Sequence, residues 1–467
     1  MLRLLNTETK EKERIVPFDG MKIRLYTCGP TIYNFAHIGN FRTYVFEDLL
    51  RRTLLYFGMQ VEQAMNLTDV DDKTIGGALI KGISLKEFTE PYRVAFFEDL
   101  ATLNIQQVEH YPAATDYIPE MIRLIQVLIE QDYAYRSIDG SIYFSIAKFP
   151  KYGRLSHLNF DALKVNASGD NRADEYDKDN ACDFVLWKSY EPARDGEIYW
   201  ESPFGRGRPG WHIECSAMAM KILGETIDIH CGGVDNMFPH HENEIAQSEC
   251  CSGKQFVRHW LHAEHLLVDH KKMSKSLGNF YTLRDLLKKG YTGAELRYLL
   301  ISTHYRTQLN FTFSGLDAAR ASLQRIGDFL QRLSEIQHSG PASIQPLLTQ
   351  AELQFKDALG DDLNISVSLS VLFELIREVN RLIDEQKLTK ADAEAAFFLF
   401  RIWDQILGLI PFPEAELQNA SLLLLLEQRN EARRCKDWKR SDEIRDQILA
   451  EGYLIEDTPN GARLKRK

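Results

Sequence analysis

No stretch of this chain stays apolar for the length a membrane span requires. Residues 1–16 alternate charge with short apolar pieces and lack the hydrophobic centre of a secretion signal. These absences point to the cytoplasm. Cysteine is sparse: seven thiols (Cys28, Cys182, Cys215, Cys231, Cys250, Cys251, Cys435) scattered over 467 residues are too few for a disulfide framework. Reduced thiols, some of them on metal, are expected instead. Surplus positive charge is missing too, and a formal charge of −11 excludes a general polyanion binder while leaving room for a local basic surface. There is no internal repeat and no low-complexity tract. What remains is a composition 44% hydrophobic and 26% charged, in a length that buries large cores and divides into several domains.

The chain is organised around Cys28-Gly-Pro-Thr-Ile-Tyr-Asn-Phe-Ala-His37-Ile-Gly-Asn40. A β-rich run (23–27) leads into it and an amphipathic helix (41–57) leaves it. In a doubly wound parallel sheet this first strand-to-helix loop is where a nucleotide phosphate meets the positive helix end. A second strand (60–67) runs into the polar loop Asn66-Leu-Thr68-Asp-Val-Asp-Asp72. A helix (117–131), a strand (137–145) and a loop-rich region make residues 120–209 read as an insertion. The sheet pattern resumes with Gly210-Trp211-His-Ile-Glu-Cys215, then the run 226–235 ending Gly232-Gly233-Val-Asp235, then Phe238-Pro-His240-His-Glu-Asn-Glu244. His240 and Glu244 are four apart and share one helical face. Residues 256–268 read as a strand, followed by the loop His270-Lys-Lys272-Met-Ser-Lys275-Ser276. Apolar positions at helical spacing (316–333, 371–383, 395–409) then predict a helical bundle. A break at 336–346, a proline linker at 411–413 and a segment 421–467, helical then irregular, complete the chain. The fold class is α/β: a Rossmann-type parallel sheet (1–119 and 210–262) carrying an insertion, a connecting loop domain (263–312), an all-α bundle (313–410) and a small C-terminal domain (421–467).

Cys28, Cys215, His240 and Glu244 form a donor set of the kind zinc accepts: two thiolates, an imidazole and a carboxylate. All four fall at strand ends or helix starts on one sheet edge. Free cysteines are equally small buried hydrophobes, and His240 could simply belong to its helix end. His37 and Asn40 at a helix start, with Lys272 and Lys275 in a serine-containing loop, suit a phosphate clamp, although such a loop alone is an ordinary surface turn. Gly233 and Asp235 fit close approach to a ribose or a plain glycine turn. Trp211 and Thr68 fit a small amino-acid pocket, and a lone tryptophan also fits a core. Trp438 and Asp442, four apart beside Arg433, suit stacking and reading an unpaired base, or a half-buried helix face.

The ordered set Cys28-Gly-Pro-Thr, Asn66-Leu-Thr-Asp-Val-Asp-Asp-Lys73, Gly210-Trp-His-Ile-Glu-Cys215-Ser-Ala-Met, Phe238-Pro-His-His-Glu-Asn-Glu-Ile-Ala-Gln247 and Lys272-Met-Ser-Lys-Ser276 resembles the cysteinyl-tRNA synthetases of class I, over essentially the whole chain. The resemblance implies ATP-dependent activation of L-cysteine and its transfer to the 3′-terminal ribose of tRNA(Cys). It implies one Zn²⁺ per subunit on Cys28, Cys215, His240 and Glu244, and Mg²⁺ with ATP. Thr68 and Trp211 would hold cysteine; His37, Asn40, Gly233, Asp235, Lys272 and Lys275 would serve ATP, with His37, Asn40 and the two lysines catalytic. The bundle and C-terminal domain would bind the anticodon through Arg433, Trp438, Asp442 and Asp457. The class signature usually ends His-Ile-Gly-His, and Asn40 departs from it; an amide still donates but does not titrate. The insertion is short for an editing domain. A monomer with no membrane partner is expected. Two alternatives are a ligase joining cysteine to a small amine, as in the mycothiol pathway, and a non-catalytic RNA-binding paralogue.

Overall fold

The structure is a computed structural model that describes residues 1–158, 183–274, 277–412, 414–435, 437–458 and 461–466. Four parallel strands form the central sheet: β1 (Lys22–Thr27), β2 (Gln60–Met65), β3 (Ile227–Gly233) and β4 (Val257–Ala263), in the order β4-β3-β1-β2. The crossover from β1 through α1 (Ile38–Tyr56) to β2 goes to one side of β1, and β3 lies on the other. The switch point, where ligands bind in such sheets, therefore falls between β1 and β3. Register brings the carboxyl ends level, because Thr27 stands opposite both Met65 and Cys231, and Ala263 stands opposite Gly233.

Alternation along the strands sorts side chains onto two faces. Ile23, Leu25, Ile229, Cys231, Leu261 and Ala263 pack with Phe46, Leu50 and Leu54 of α1. Tyr26 and Trp260 point the other way, into a core shared with α2 (Trp211–Leu223) and α3 (Glu242–Ser252). The far flank of α1, with Phe41, Val45 and Leu49, joins the core of the bundle helices Phe313–Ser334, Gln345–Gly360, Ile365–Asp384 and Lys390–Leu407. A buried charge cluster reinforces that junction. Asp48 accepts from Arg52 (2.7 Å) and Arg297 (2.5 Å), and these arginines also donate to the carbonyls of Gln405 (2.9 Å) and Leu407 (2.6 Å).

Three local expectations change. The strand expected at 137–145 is the second half of a hairpin, Ala134–Arg136 with Ile142–Phe144, because Asp139-Gly140 makes the turn, with Gly140 at φ +88°. This hairpin joins Phe184–Ser189 and Gly207–Pro209 in an antiparallel sheet. The run 256–268 splits at Glu264-His265: β4 ends, and Leu266–Val268 enters a separate sheet with Lys271–Lys272 and Leu309–Phe311. The C-terminal end is not irregular but a hairpin, Tyr453–Thr458 with Gly461–Arg466, whose Tyr453, Ile455, Ala462 and Leu464 meet a small core of Leu422, Leu426, Ile444 and Ile448. Among the described residues no helix is long and apolar enough to cross a membrane.

Candidate active site and metal centre

A cavity of about 510 Å³ opens at the level carboxyl ends of β1 and β3. Cys28, Cys215, His240 and Trp211 line one side of it, and His37, Asn40, Gly233, Asp235 and Lys272 line another. Cys28 follows β1 directly. Gly29 beside it donates to Asn66 Oδ1 (2.9 Å), and a Cβ on Gly29 would overlap the Asn66 carbonyl oxygen. The thiol is thus pinned by a turn only glycine can make. Cys215 comes from α2, and His240 with Glu244 from the turn Met237–His241 and the start of α3.

The donor atoms of Cys28, Cys215, His240 and Glu244 all lie within 4.8 Å of one another, all buried. A tetrahedral ion with bonds of 2.0–2.3 Å separates its ligand atoms by roughly 3.3–3.8 Å, so the cluster is the right size for zinc. A second set, Cys28, His230, His241 and Glu244, is equally compact. Hydrogen bonding separates the two. His241 uses both ring nitrogens, on Cys28 Sγ (3.3 Å) and His262 Nε2 (2.8 Å). His230 does likewise, on Glu244 Oε2 (3.1 Å) and the Cys231 carbonyl (3.3 Å). His240 instead spends Nδ1 on His212 Nδ1 (2.9 Å), and its Nε2 lies 3.1 Å from Glu244 Oε1, an oxygen that makes no hydrogen bond. Two lone-pair donors turned to a common point without bonding each other suit a shared cation. With its proton on Nδ1, towards His212, His240 would offer Nε2 as the ligand. His230 and His241 back the site, and His262 continues the chain to Thr7 Oγ1 (2.8 Å).

Burial sets the protonation of this cluster. It pushes Glu244 up to about 8 and Cys215 upward, while a hydrogen bond to Cys215 together with burial raises Cys28. The same burial holds His240, His230 and His262 down at about 3 and His241 well below its ordinary value. Without a cation the cluster is neutral. Trp211 stacks on the His240 ring (4.2 Å, 18°) and fixes its plane at the cavity wall.

On the other side of the cavity, His37 caps α1 in a reciprocal box. Its Nδ1 accepts from the Asn40 N–H (3.1 Å), and Asn40 Oδ1 accepts from the His37 N–H (3.0 Å). Neutral His37 therefore carries its proton on Nε2. A Cβ on Gly39 would press on the His37 ring at 2.9 Å and on Met273 at 3.1 Å, so glycine admits both. The lysine loop is fastened against this helix end: Ile38 N donates to Tyr281 O (3.0 Å), and Asn279 binds Ser274 N (2.8 Å) and Lys272 O (3.2 Å).

Residues 14–321 match the model of the class I (C) tRNA synthetase catalytic domain, and residues 354–411 match the DALR domain. The chain is 59% identical to the cysteine–tRNA ligase of Protochlamydia amoebophila, over 100% of this chain and 98% of that protein, and 55% identical to that of Chlamydia muridarum, over 100% and 99%. The chain belongs to the cysteine–tRNA ligase family. Solved structures share the fold at low identity. A methionyl-tRNA synthetase of Mycobacterium tuberculosis matches at 13% identity, TM-score 0.60, over 83% of this chain and 90% of that one, and the LeuRS of Agrobacterium radiobacter K84 matches at 12%, TM-score 0.61, over 83% and 84%.

Other residues that the family resemblance singled out stand apart from the cavity. Thr68 does not line it. Its hydroxyl donates to Glu214 Oε2 (3.1 Å), and its backbone is exchanged with Pro30 and Ile32, so it braces the Cys28 loop from behind. Lys275 lies outside the described residues. Trp438 (59% exposed) and Asp442 share an exposed face of the helix Trp438–Ala450, Arg433 ends the preceding helix, and Asp457 lies on the C-terminal hairpin. Sequence reasoning for a cysteine–tRNA ligase missed Thr43, Lys73, Glu264 and His265 at the cavity and the imidazoles behind the metal cluster. Glu242 was missed as well. It accepts from Gly153 N, Ser156 N and Ser156 Oγ (2.8–2.9 Å) and so anchors the insertion to α3.

Proposed function

We propose that this chain activates L-cysteine with ATP and transfers it to the 3′-terminal ribose of tRNA(Cys), selecting the substrate by its sulfur. One observation carries the reading: the four metal donors converge at the floor of the cavity whose other wall holds His37, Asn40, Asp235 and Lys272. The donors fit zinc in type, number and spacing. Zinc held by Cys28, Cys215, His240 and Glu244 would supply a soft Lewis-acid contact for a thiol, which the hydroxyl of serine matches poorly. Discrimination of about 10⁴, on the order of 5.5 kcal/mol, makes hydrolytic editing unnecessary.

The reaction has two steps. The cysteine carboxylate attacks the α-phosphorus of ATP, bound with Mg²⁺, and pyrophosphate leaves; a ribose hydroxyl then takes the aminoacyl group. Neither step needs a protein nucleophile, so the chain contributes position and charge. Asn40 holds the His37 ring so that its Nε2–H donates to a phosphate oxygen, and Lys272 and Lys275 neutralise charge building on the leaving pyrophosphate. Gly233 admits the ribose beside the Asp235 carboxylate. Trp211 walls the amino-acid end, and Thr68 keeps the Cys28 loop in place. Arg433, Trp438, Asp442 and Asp457 meet the anticodon.

Zinc stoichiometry by elemental analysis, cysteine-dependent ATP–pyrophosphate exchange with serine as competitor, and charging of tRNA(Cys) test the reading together. One zinc, exchange with cysteine alone and charged tRNA are expected. Exchange without charging would favour a small-amine acceptor, and no exchange at all a non-catalytic paralogue.

A further inference from the structure

Between Thr31 and His37, both of which line the cavity, the loop carries Phe35 outward with 41% of its surface exposed. An isolated exposed phenylalanine is commonplace. This one is framed. Tyr92, on the helix Leu85–Thr102, stands edge-on to it (5.5 Å, 77°), which props the ring upright. The Arg284 guanidinium lies 5.3 Å from its centre, tethered to the Ala95 carbonyl (3.2 Å) and Glu98 (2.6 Å). Lys81 Nζ sits 5.9 Å above the Tyr92 ring, and Lys73 Nζ 5.4 Å above Tyr33, two residues before Phe35. In a chain of net charge −11, aromatic rings interleaved with cations run outward from the mouth of the cavity.

Resting on the reading that tRNA is the second substrate, we propose that Phe35 is the stacking platform for the unpaired 3′ end of the tRNA. Its terminal bases lie along Phe35 and Tyr92, and Lys81 and Arg284 meet the phosphates. A 3′ ribose can react only if its strand leaves the acceptor helix and enters the cavity, and every base so exposed loses a stacking partner. An aromatic face restores that partner without regard to base identity, and flanking cations offset the backbone charge. Placement decides for nucleic acid over a protein partner: the strip is continuous with the loop bearing His37, and each ring has a cation beside it, Arg284 at Phe35 (itself paired with Glu98 and Asp99), Lys81 at Tyr92 and Lys73 at Tyr33.

The test compares the unsubstituted enzyme with Phe35→Ala and Phe35→Trp in three measurements: cysteine-dependent ATP–pyrophosphate exchange without tRNA, kcat/KM for tRNA(Cys) charging, and binding of tRNA(Cys) with and without its last three nucleotides. Phe35→Ala should leave exchange unchanged and lower charging by about 5- to 150-fold, the loss of one base–aromatic stack, while Phe35→Trp restores it. Phe35→Ala should also abolish the preference for intact over shortened tRNA. Charging that survives Phe35→Ala, exchange that falls in parallel with it, or an equal loss of affinity for shortened tRNA overturns the platform while leaving the enzyme reading intact. No charging by the unsubstituted enzyme overturns that reading and the platform with it.

Discussion

Because every anionic donor in the metal cluster is buried and protonated, capturing a cation there is a proton-exchange reaction. Glu244 is pushed up to about 8, Cys215 is raised by burial, and Cys28 is raised by its hydrogen bond to Cys215 and by burial. His240, held down at about 3, is already neutral and can ligate without releasing a proton. Zinc entering at pH 7 should therefore displace about three protons, two from thiols and most of one from the carboxyl, and its apparent association constant should climb about a thousandfold per pH unit. Competition against a chelator across neutral pH gives the slope, and calorimetry in buffers of different ionisation enthalpy counts the protons. Cys215→Ser should lower zinc content, raise the Michaelis constant for cysteine and release about one proton fewer. Release of fewer than about one proton, or unchanged zinc in Cys215→Ser, would refute the assignment of these donors.

Glu244 also sets a stability trend in the metal-free protein. Its folded-state value, about 8, lies above its ordinary 4.5, so its contribution is full below 4.5 and erodes as pH rises towards 8, by up to about 5 kcal/mol. Denaturant midpoints of chelator-treated protein should fall across that window and flatten when zinc is added; a flat metal-free profile contradicts the burial argument. Asn40→Ala removes the acceptor of the His37 N–H and should cost about 1 kcal/mol in thermal unfolding while raising the Michaelis constant for ATP. Gly29→Ala forces a Cβ against the Asn66 carbonyl, shifts Cys28 and should lower zinc stoichiometry by elemental analysis. Thr68→Val strips Glu214 of a buried donor; about 1–3 kcal/mol of stability should go, with little change in the Michaelis constant for cysteine, whereas a direct substrate contact would reverse that order.

The convergence of Cys28, Cys215, His240 and Glu244 was legible because each sits at a strand end or helix start, and the register of β1 and β3 brings those ends level. Glu244 stands four residues beyond His240 and three beyond His241, so helical spacing allows either imidazole, and only the hydrogen bonds of the folded site separate them. The backing imidazoles were not legible. His230 and His262 reach the site only because β3 and β4 are neighbours in the sheet, a pairing fixed by tertiary packing. The break at Glu264-His265 was hidden because the stretch 256–268, rich in strand formers on both sides of it, serves two sheets in succession. The C-terminal hairpin was hidden because its last strand offers only Ala462 and Leu464 on the packed face, too few for an alternation to stand out among basic residues. Thr68 lies in the loop beyond the end of β2 at Met65, and a place in that loop does not say whether a hydroxyl faces the cavity or the helix behind it.

Side-chain alternation divides the labour of the site. Tyr26, His230, Trp260 and His262 project from β1, β3 and β4 towards α2 and α3, and the metal donors gather on that face. The start of α1, with His37 and Asn40, lines the other side of the same cavity. The single loop from Cys28 to Asn40 joins the two, and Cys28 lies on the metal side because it is two residues beyond Tyr26. A slip of β1 by one residue against β3 would put Thr27 where Cys28 stands and turn the thiol towards α1. The parallel register thus decides the position of Cys28 in the candidate donor cluster, and the backbone around it is fixed by glycine, by Asn66 and by Thr68 together.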